Sequence, residues 1–262
     1  MQLIDIGVNL TNARLYHDRD KLKTEALAAG VIHQIITGTS YDASLKAAAI
    51  CAEDPGYYSA TAGCHPHDAK DFSHEHLAGL QQLLTNELVV AVGECGLDFN
   101  RNYSPPEIQT SVFRQQIELA VEVQKPLFLH QRDAHRDFIE QLQPHADNLS
   151  GVCHCFTGNK GEMRDYLELG FYIGITGWLC DERRGADLQE ALRFAPLDRI
   201  LLETDAPYLL PRTIRPRPKS NLNTAANLPY VLEFAAEITG QSADRLAEIT
   251  TDNCRRLFQI DR

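Results

Sequence analysis

The chain has 262 residues, 44% of them hydrophobic, enough to bury a sizeable core. Its 36 Asp and Glu outweigh 25 Lys and Arg, for a formal net charge of −11 with histidine neutral. A protein that coats nucleic acid over its whole surface is basic, so any nucleic-acid role here must rest on a local site.

In chain order, strand and helix patterns alternate. Residues 3–10 read as a strand and 18–29 as a helix closed by Gly30 at its C′ position. The second strand spans 31–37. Ser40 can cap a helix to about residue 52, and Asp54-Pro-Gly56 is a turn. The third strand, 57–62, runs into Gly63-Cys-His-Pro-His-Asp68, and Ser73 starts a helix to about residue 84. The apolar run from Leu88 to Val92 ends abruptly in Gly93-Glu94. A run that apolar and β-branched predicts a strand buried on both faces of a parallel sheet. Ser104-Pro-Pro-Glu107 opens a helix, with prolines in its first turn, that continues to about residue 124. Three strands follow at 126–130, 151–156 and 171–176, with helices at 134–142 and 160–169, the latter stopped by Gly170. A helix at 187–194 leads to the eighth strand, 200–204. Residues 206–227, rich in Pro and Arg, read as a loop, and 228–239 and 242–258 as helices.

Eight such alternations with no linker predict an α/β fold, a (β/α)8 TIM barrel, as a single domain over residues 1–262. The alternative is an open doubly wound sheet, which would spread the ends of strands 4, 5, 6 and 8 too far apart to share an ion. No apolar run approaches the roughly 18 residues of a membrane span. Met1-Gln-Leu-Ile-Asp5 enters a strand without a basic lead. A cytoplasmic monomer away from the membrane is expected. The seven cysteines lack disulfide-scaffold spacing, and Cys153-His-Cys155 is not a C-x₂-C zinc pair. Free buried thiols are the expectation.

Four strand-like runs stop at metal-capable side chains: Glu94, His130, His154 and Asp205. In a closed barrel these gather at one rim, where a TIM barrel carries its site. Taken singly, each has a bland explanation: a salt bridge for Glu94, a satisfied core imidazole for each histidine, a helix cap for Asp205. Together they suit a hard or borderline divalent cation, Mg²⁺, Mn²⁺ or Zn²⁺, because charged ends on apolar strands are costly unless paired. Strand alternation would send His154 to one face and both flanking thiols to the other, where they pack as small hydrophobes. His65, in the loop after strand 3, is expected to donate to a phosphate oxygen, while the place of His67 stays open between ligand and surface turn. Arg132 and Arg101 suit phosphate, against a rim salt bridge such as Arg132–Asp133. The run Pro211-Arg-Thr-Ile-Arg-Pro-Arg-Pro-Lys219 reads either as a backbone-tracking patch or as a solvated loop.

These stretches resemble the TatD-type metal-dependent deoxyribonuclease family of amidohydrolase-like TIM barrels. The matching segments are Thr61-Ala-Gly-Cys-His-Pro-His-Asp68, Ala91-Val-Gly-Glu-Cys-Gly-Leu-Asp-Phe99, Phe128-Leu-His-Gln-Arg-Asp133, His154-Cys-Phe-Thr-Gly158, Ile173-Gly-Ile-Thr-Gly177 and Leu202-Glu-Thr-Asp-Ala-Pro-Tyr208. The resemblance implies a divalent metal and hydrolysis of phosphodiesters, with 3′-to-5′ exonuclease action on single-stranded DNA, extending to RNA, and a role in DNA repair or turnover. It places the metal on Glu94, His130, His154 and Asp205. Where many relatives begin Asp-x-His-x-His, this chain has Asp5-Ile-Gly-Val-Asn9. One well-held site and a second weak one are therefore expected, with Mg²⁺ first, then Mn²⁺ or Zn²⁺. Asp205 is expected to act as general base, with Glu94 also catalytic. The rival readings are a metal-dependent amide or ester hydrolase and a non-catalytic metal-dependent binding protein.

Overall fold

The computed structural model describes residues 1–260; the last two residues of the expected domain, Asp261 and Arg262, lie outside the described residues. Eight parallel strands follow one another in chain order: β1 (Leu3–Val8), β2 (Val31–Ile36), β3 (Tyr58–Ala62), β4 (Val89–Asp98), β5 (Leu127–Arg132), β6 (Gly151–Cys153), β7 (Tyr172–Ile175) and β8 (Ile200–Leu202). The ring closes through a parallel bridge, Val8 to Ala206. There the Asp205 N–H donates to the Gly7 carbonyl at 2.9 Å and the Asn9 N–H to the Ala206 carbonyl at 2.8 Å. This is the expected TIM barrel, and the open doubly wound sheet is set aside.

The helices are α1 (Ala13–Tyr16), α2 (Arg19–Ala28), α3 (Tyr41–Glu53), α4 (His74–Leu83), α5 (Pro106–Val123), α6 (His135–Leu142), α7 (Lys160–Glu168), α8 (Ala186–Leu192), α9 (Leu228–Thr239) and α10 (Ala243–Phe258). Side chains placed for capping do cap. Ser40 accepts from the Ala43 N–H, Ser242 from the Arg245 N–H, and Ser73 with His76 and Asn159 with Glu162 close capping boxes. Each such cap stabilises its helix by about 1 kcal/mol. The capping box also gives His76 a structural role. No helix among the described residues is long and apolar enough to cross a membrane.

Alternation along the strands sorts the core into two layers. On β5, Leu127 and Leu129 join the layer beneath the helices, with Phe113, Ile117 and Phe138. Phe128 joins Ile4, Ile6, Val152, Tyr172 and Leu201 in a second cluster, the barrel interior. Leu257, Phe258 and Ile260, at and beyond the end of α10, complete that cluster. Burying such a side chain contributes about 1.5–3 kcal/mol. The interior is thus packed mainly with apolar side chains, with His33 and Ser59 bonded to each other among them, and the polar site sits at the opposite, C-terminal mouth.

The fourth strand departs from expectation. It does not stop at Gly93-Glu94 but pairs with β5 as far as Asp98–Arg132, with a register shift between Gly93 and Cys95. The cause is glycine. Gly93 and Gly96 sit at φ of 137° and 145°, and a Cβ on them would lie 2.2 Å from the Phe128 carbonyl oxygen and 1.9 Å from that of His130. Only glycine fits there. The extension carries two carboxylates, Glu94 and Asp98, into the mouth on one strand.

The sixth strand is shorter than expected. It ends at Cys153, and Cys155 takes a left-handed φ of 45°. The expected alternation therefore fails beyond His154: Cys153 packs in the core, whereas Cys155 turns into the same cavity as His154. All seven cysteines are free, as expected.

Candidate active site

At the C-terminal mouth lies a cavity of about 870 Å³. Its walls include every residue singled out from the sequence for metal, catalysis or substrate: Glu94, His130, His154, Asp205, His65, Arg132 and Arg101. At its floor three imidazoles converge on one carboxylate oxygen. Glu94 Oε1 lies 2.9 Å from His154 Nε2, 3.0 Å from His130 Nδ1 and 3.3 Å from His65 Nε2. Burial opposes the ionisation of Glu94, but the facing histidines outweigh it and hold its carboxyl well below the usual range.

His65, Glu94 and His130 offer ligand atoms that all lie within 4.8 Å of one another, a geometry that can hold a metal ion. His65, expected as a phosphate donor, thus stands in the group whose geometry could hold a metal. Its own pKa is lowered, chiefly by burial. His130 supplies a further sign of fit: its Nε2 is buried without a hydrogen-bond partner, 3.6 Å from Asp98 Oδ2. Mixed imidazole and carboxylate donors of this kind suit a borderline divalent ion.

Around this floor stands a ring of supporting groups. Glu203, fully buried, accepts from His154 Nδ1 at 3.1 Å and from the Cys155 N–H at 2.5 Å. Its carboxylate fills a cradle left by two glycines: a Cβ on Gly7 would meet Oε2 at 2.3 Å, and one on Gly174 would meet Oε1 at 2.5 Å. The Nδ1 contact fixes the ring so that Nε2 faces Glu94. Burial works against a charged His154, yet Glu203 and Glu94 hold the imidazolium well above its usual range. Asp98 accepts from His67 Nε2 at 2.6 Å and is held low, despite burial, by His130 and His67. Across the ring from β4, Asp205 sits at the β1–β8 seam. Asn9 Nδ2 donates to its Oδ1 at 2.9 Å, and burial raises its carboxyl to about 7.

The expected phosphate groups lie on the same walls. Arg132 approaches Asp133 only at 4.0 Å and its guanidinium packs 5.1 Å from the Trp178 ring centre. Arg101 donates to the Tyr103 hydroxyl at 3.2 Å and makes no ion pair among the described residues. In the basic run after β8, Arg212 pairs with Glu182 at 2.7 Å, and Arg215 donates to the carbonyls of Arg212 and Ile214. Sequence reasoning missed Glu203, and it noted Asp98 only as a second carboxylate past the fourth strand, without a role. The available signal for Glu203 was a charged residue two positions before Asp205 in an apolar strand.

Residues 4–259 match the family described as TatD-related DNase. The chain is 49% identical over 257 residues to a Cronobacter sakazakii protein named 3′-5′ ssDNA/RNA exonuclease TatD, covering 98% of this chain and 97% of that one. An Erwinia tasmaniensis protein of the same name is 48% identical over 259 residues, covering 98% and 100%. Among solved structures, a TatD homologue from Escherichia coli aligns with a TM-score of 0.89 at 28% identity over 98% of each chain. A TatD-family hydrolase from Entamoeba histolytica gives 0.89 at 26%, again over 98% of each. With the match running from the first strand to the last helix, the chain belongs to the TatD-related DNase family and is a hydrolytic nuclease.

Proposed function

We propose that this nuclease is a 3′-to-5′ exonuclease on single-stranded DNA and RNA, serving DNA repair or turnover as a cytoplasmic monomer, one domain over residues 1–262. The observation that supports it is the convergence of three imidazoles on Glu94 beneath a cleft edged by Arg101 and Arg132. The names of the close relatives give the polarity and strand preference.

Glu94, His65, His130 and His154 would hold a divalent cation, with Asp205 beside them. Such an ion polarises a phosphoryl oxygen and lowers the pKa of bound water. Asn9 engages one oxygen of Asp205 and leaves the other to accept the proton of the attacking water. A carboxyl raised to about 7 suits that task. Arg132 and Arg101 bind the flanking phosphate oxygens and offset the charge that develops there. Glu94 balances the charge of the cation. Magnesium is the ion expected from the sequence, but grouping His65 with His130 on one carboxylate adds an imidazole and moves the preference toward Mn²⁺ or Zn²⁺. One tight site and a weaker one near Asp205 remain the proposal.

The test is hydrolysis of end-labelled single strands with Mg²⁺, Mn²⁺ and Zn²⁺ in turn. Ladders shortening from the 3′ terminus are expected. Glu94→Ala should abolish them while the melting transition stays cooperative, and full activity in that variant would overturn the assignment.

A further inference from the structure

Beside the catalytic cavity lies a second one, of about 410 Å³, under the Pro- and Arg-rich loop after β8. The two share Trp178, Arg184, Tyr208 and Leu209 as common walls, so they lie side by side. The charge of the second cavity is opposite to that of the chain. Arg14, Arg183, Arg184, Arg212 and Arg217 line it, with Asp181 as the one carboxylate on its wall, on a protein of net charge −11. Asp181 and Glu182 pin Arg183, Arg184 and Arg212 in place. Arg14 reaches only a neutral partner, Asn221, at 3.2 Å, and Arg217 makes no ion pair among the described residues. Both are exposed. Pro207, Pro211 and Pro218 stiffen the backbone of the wall, and the ion pairs hold Arg183, Arg184 and Arg212 in place before any ligand arrives.

A line of cations runs from the metal floor into this annex. Arg132 stands on the catalytic side and Arg184 on the common wall, their guanidiniums 5.1 Å and 4.0 Å from the same Trp178 ring centre. One indole thus packs against a guanidinium from each cavity. Tyr208, half exposed on the common wall, offers the open aromatic surface on which a base can stack.

We propose that the second cavity binds the trailing strand: the sugar-phosphate backbone of the nucleotides on the 5′ side of the bond being cut. This rests on the exonuclease reading above and extends it. The recognition is by charge and stacking, so it is indifferent to sequence. It lets the enzyme keep hold of a long strand while only the terminal residue sits at the floor.

The experiment is fluorescence anisotropy of labelled oligothymidylates of two and eight nucleotides with the full chain in EDTA, which separates binding from turnover. Wild-type protein should bind the eight-mer at least tenfold more tightly than the dimer. The double variant Arg14→Ala/Arg217→Ala should lose most of that gain. Its salt dependence, log K against log[salt], should flatten by about 1.4, the value for two phosphate contacts on a single strand at roughly 0.7 each. A control with the same charge change outside both cavities, Lys21→Ala/Arg245→Ala, should leave both quantities unchanged. With metal present, the Arg14/Arg217 variant should show a raised KM on the eight-mer, an unchanged kcat and unchanged hydrolysis of the dimer. Equal wild-type affinity for dimer and eight-mer, or a variant with wild-type length dependence and salt slope, would overturn the proposal. Failure of the wild-type protein to hydrolyse either strand under any metal would instead overturn the exonuclease reading, and the anisotropy would still decide the annex.

Discussion

Replacing Glu203 by Gln tests whether the buried carboxylate behind His154 sets metal affinity. The substitution keeps the shape that fits the cradle of Gly7 and Gly174. One amide oxygen can still accept from the Cys155 N–H, but the amide NH₂ then faces His154 Nδ1. With a proton on that nitrogen, donor meets donor. The alternative tautomer moves the proton to Nε2, the atom 2.9 Å from Glu94, and removes the lone pair a cation would need. Loss of a hydrogen bond to a charged group costs about 1.5–3 kcal/mol. Removing the partner that orients a ligand histidine weakens metal binding by about 10- to 100-fold, or about 1.4–2.7 kcal/mol, so the two routes agree. The assay is calorimetric titration of the purified protein with Mn²⁺, beside a thermal melt. A metal affinity within twofold of wild type, with or without a lower Tm, would refute the orienting role of Glu203.

Asp205→Asn should lower kcat by about 10²- to 10⁴-fold, the usual share of a general base, with KM for a single strand little changed in steady-state assays. Metal affinity should fall as pH falls, since a cation competes with the proton that Glu203 and Glu94 favour on His154; an affinity constant with pH in Mn²⁺ titrations would contradict this. Asp5 is buried, and its folded carboxyl is raised from 3.8 to about 7, chiefly by burial against the hydrogen bonds from Thr204. Its stabilising contribution is therefore complete below about pH 4 and is lost as pH rises through 7. Asp5→Asn should gain stability relative to wild type across that window and hold the gain above it, read as the difference in Tm at each pH. Gly96→Ala should destabilise the barrel strongly, because the new Cβ meets the His130 carbonyl oxygen; a melt within 2 °C of wild type would sink that argument.

Much of this architecture was legible in the chain because strand and helix periods alternate eight times and short polar caps mark the turns. The apolar runs before His130 and His154 were enough to place those side chains at the mouth. What stayed hidden depended on backbone that departs from its period. Gly93 and Gly96 look like strand terminators, yet they let β4 continue, and so Asp98 reads from sequence only as a second carboxylate past the strand, not as a neighbour of His67 and His130. Cys155 breaks the strand alternation through a left-handed turn. Glu203 was counted as a strand residue because nothing local reveals that Gly7 and Gly174, about 200 and 30 positions away, leave room for its carboxylate. His65 reached Glu94 and His130 through the loop after β3, whose path no periodicity encodes.

Seven of the eight junctions in the ring are ladders within one sheet, whereas the eighth rests on a single bridge and two backbone bonds, from Asp205 to Gly7 and from Asn9 to Ala206. Asp205, the proposed proton acceptor, and Asn9, the amide that steadies it, therefore sit on the weakest suture of the cylinder. Mild denaturant should part that suture first, so hydrolysis should vanish while far-ultraviolet ellipticity is still near its native value. The zipper tooth most easily undone is the one the proposed chemistry uses.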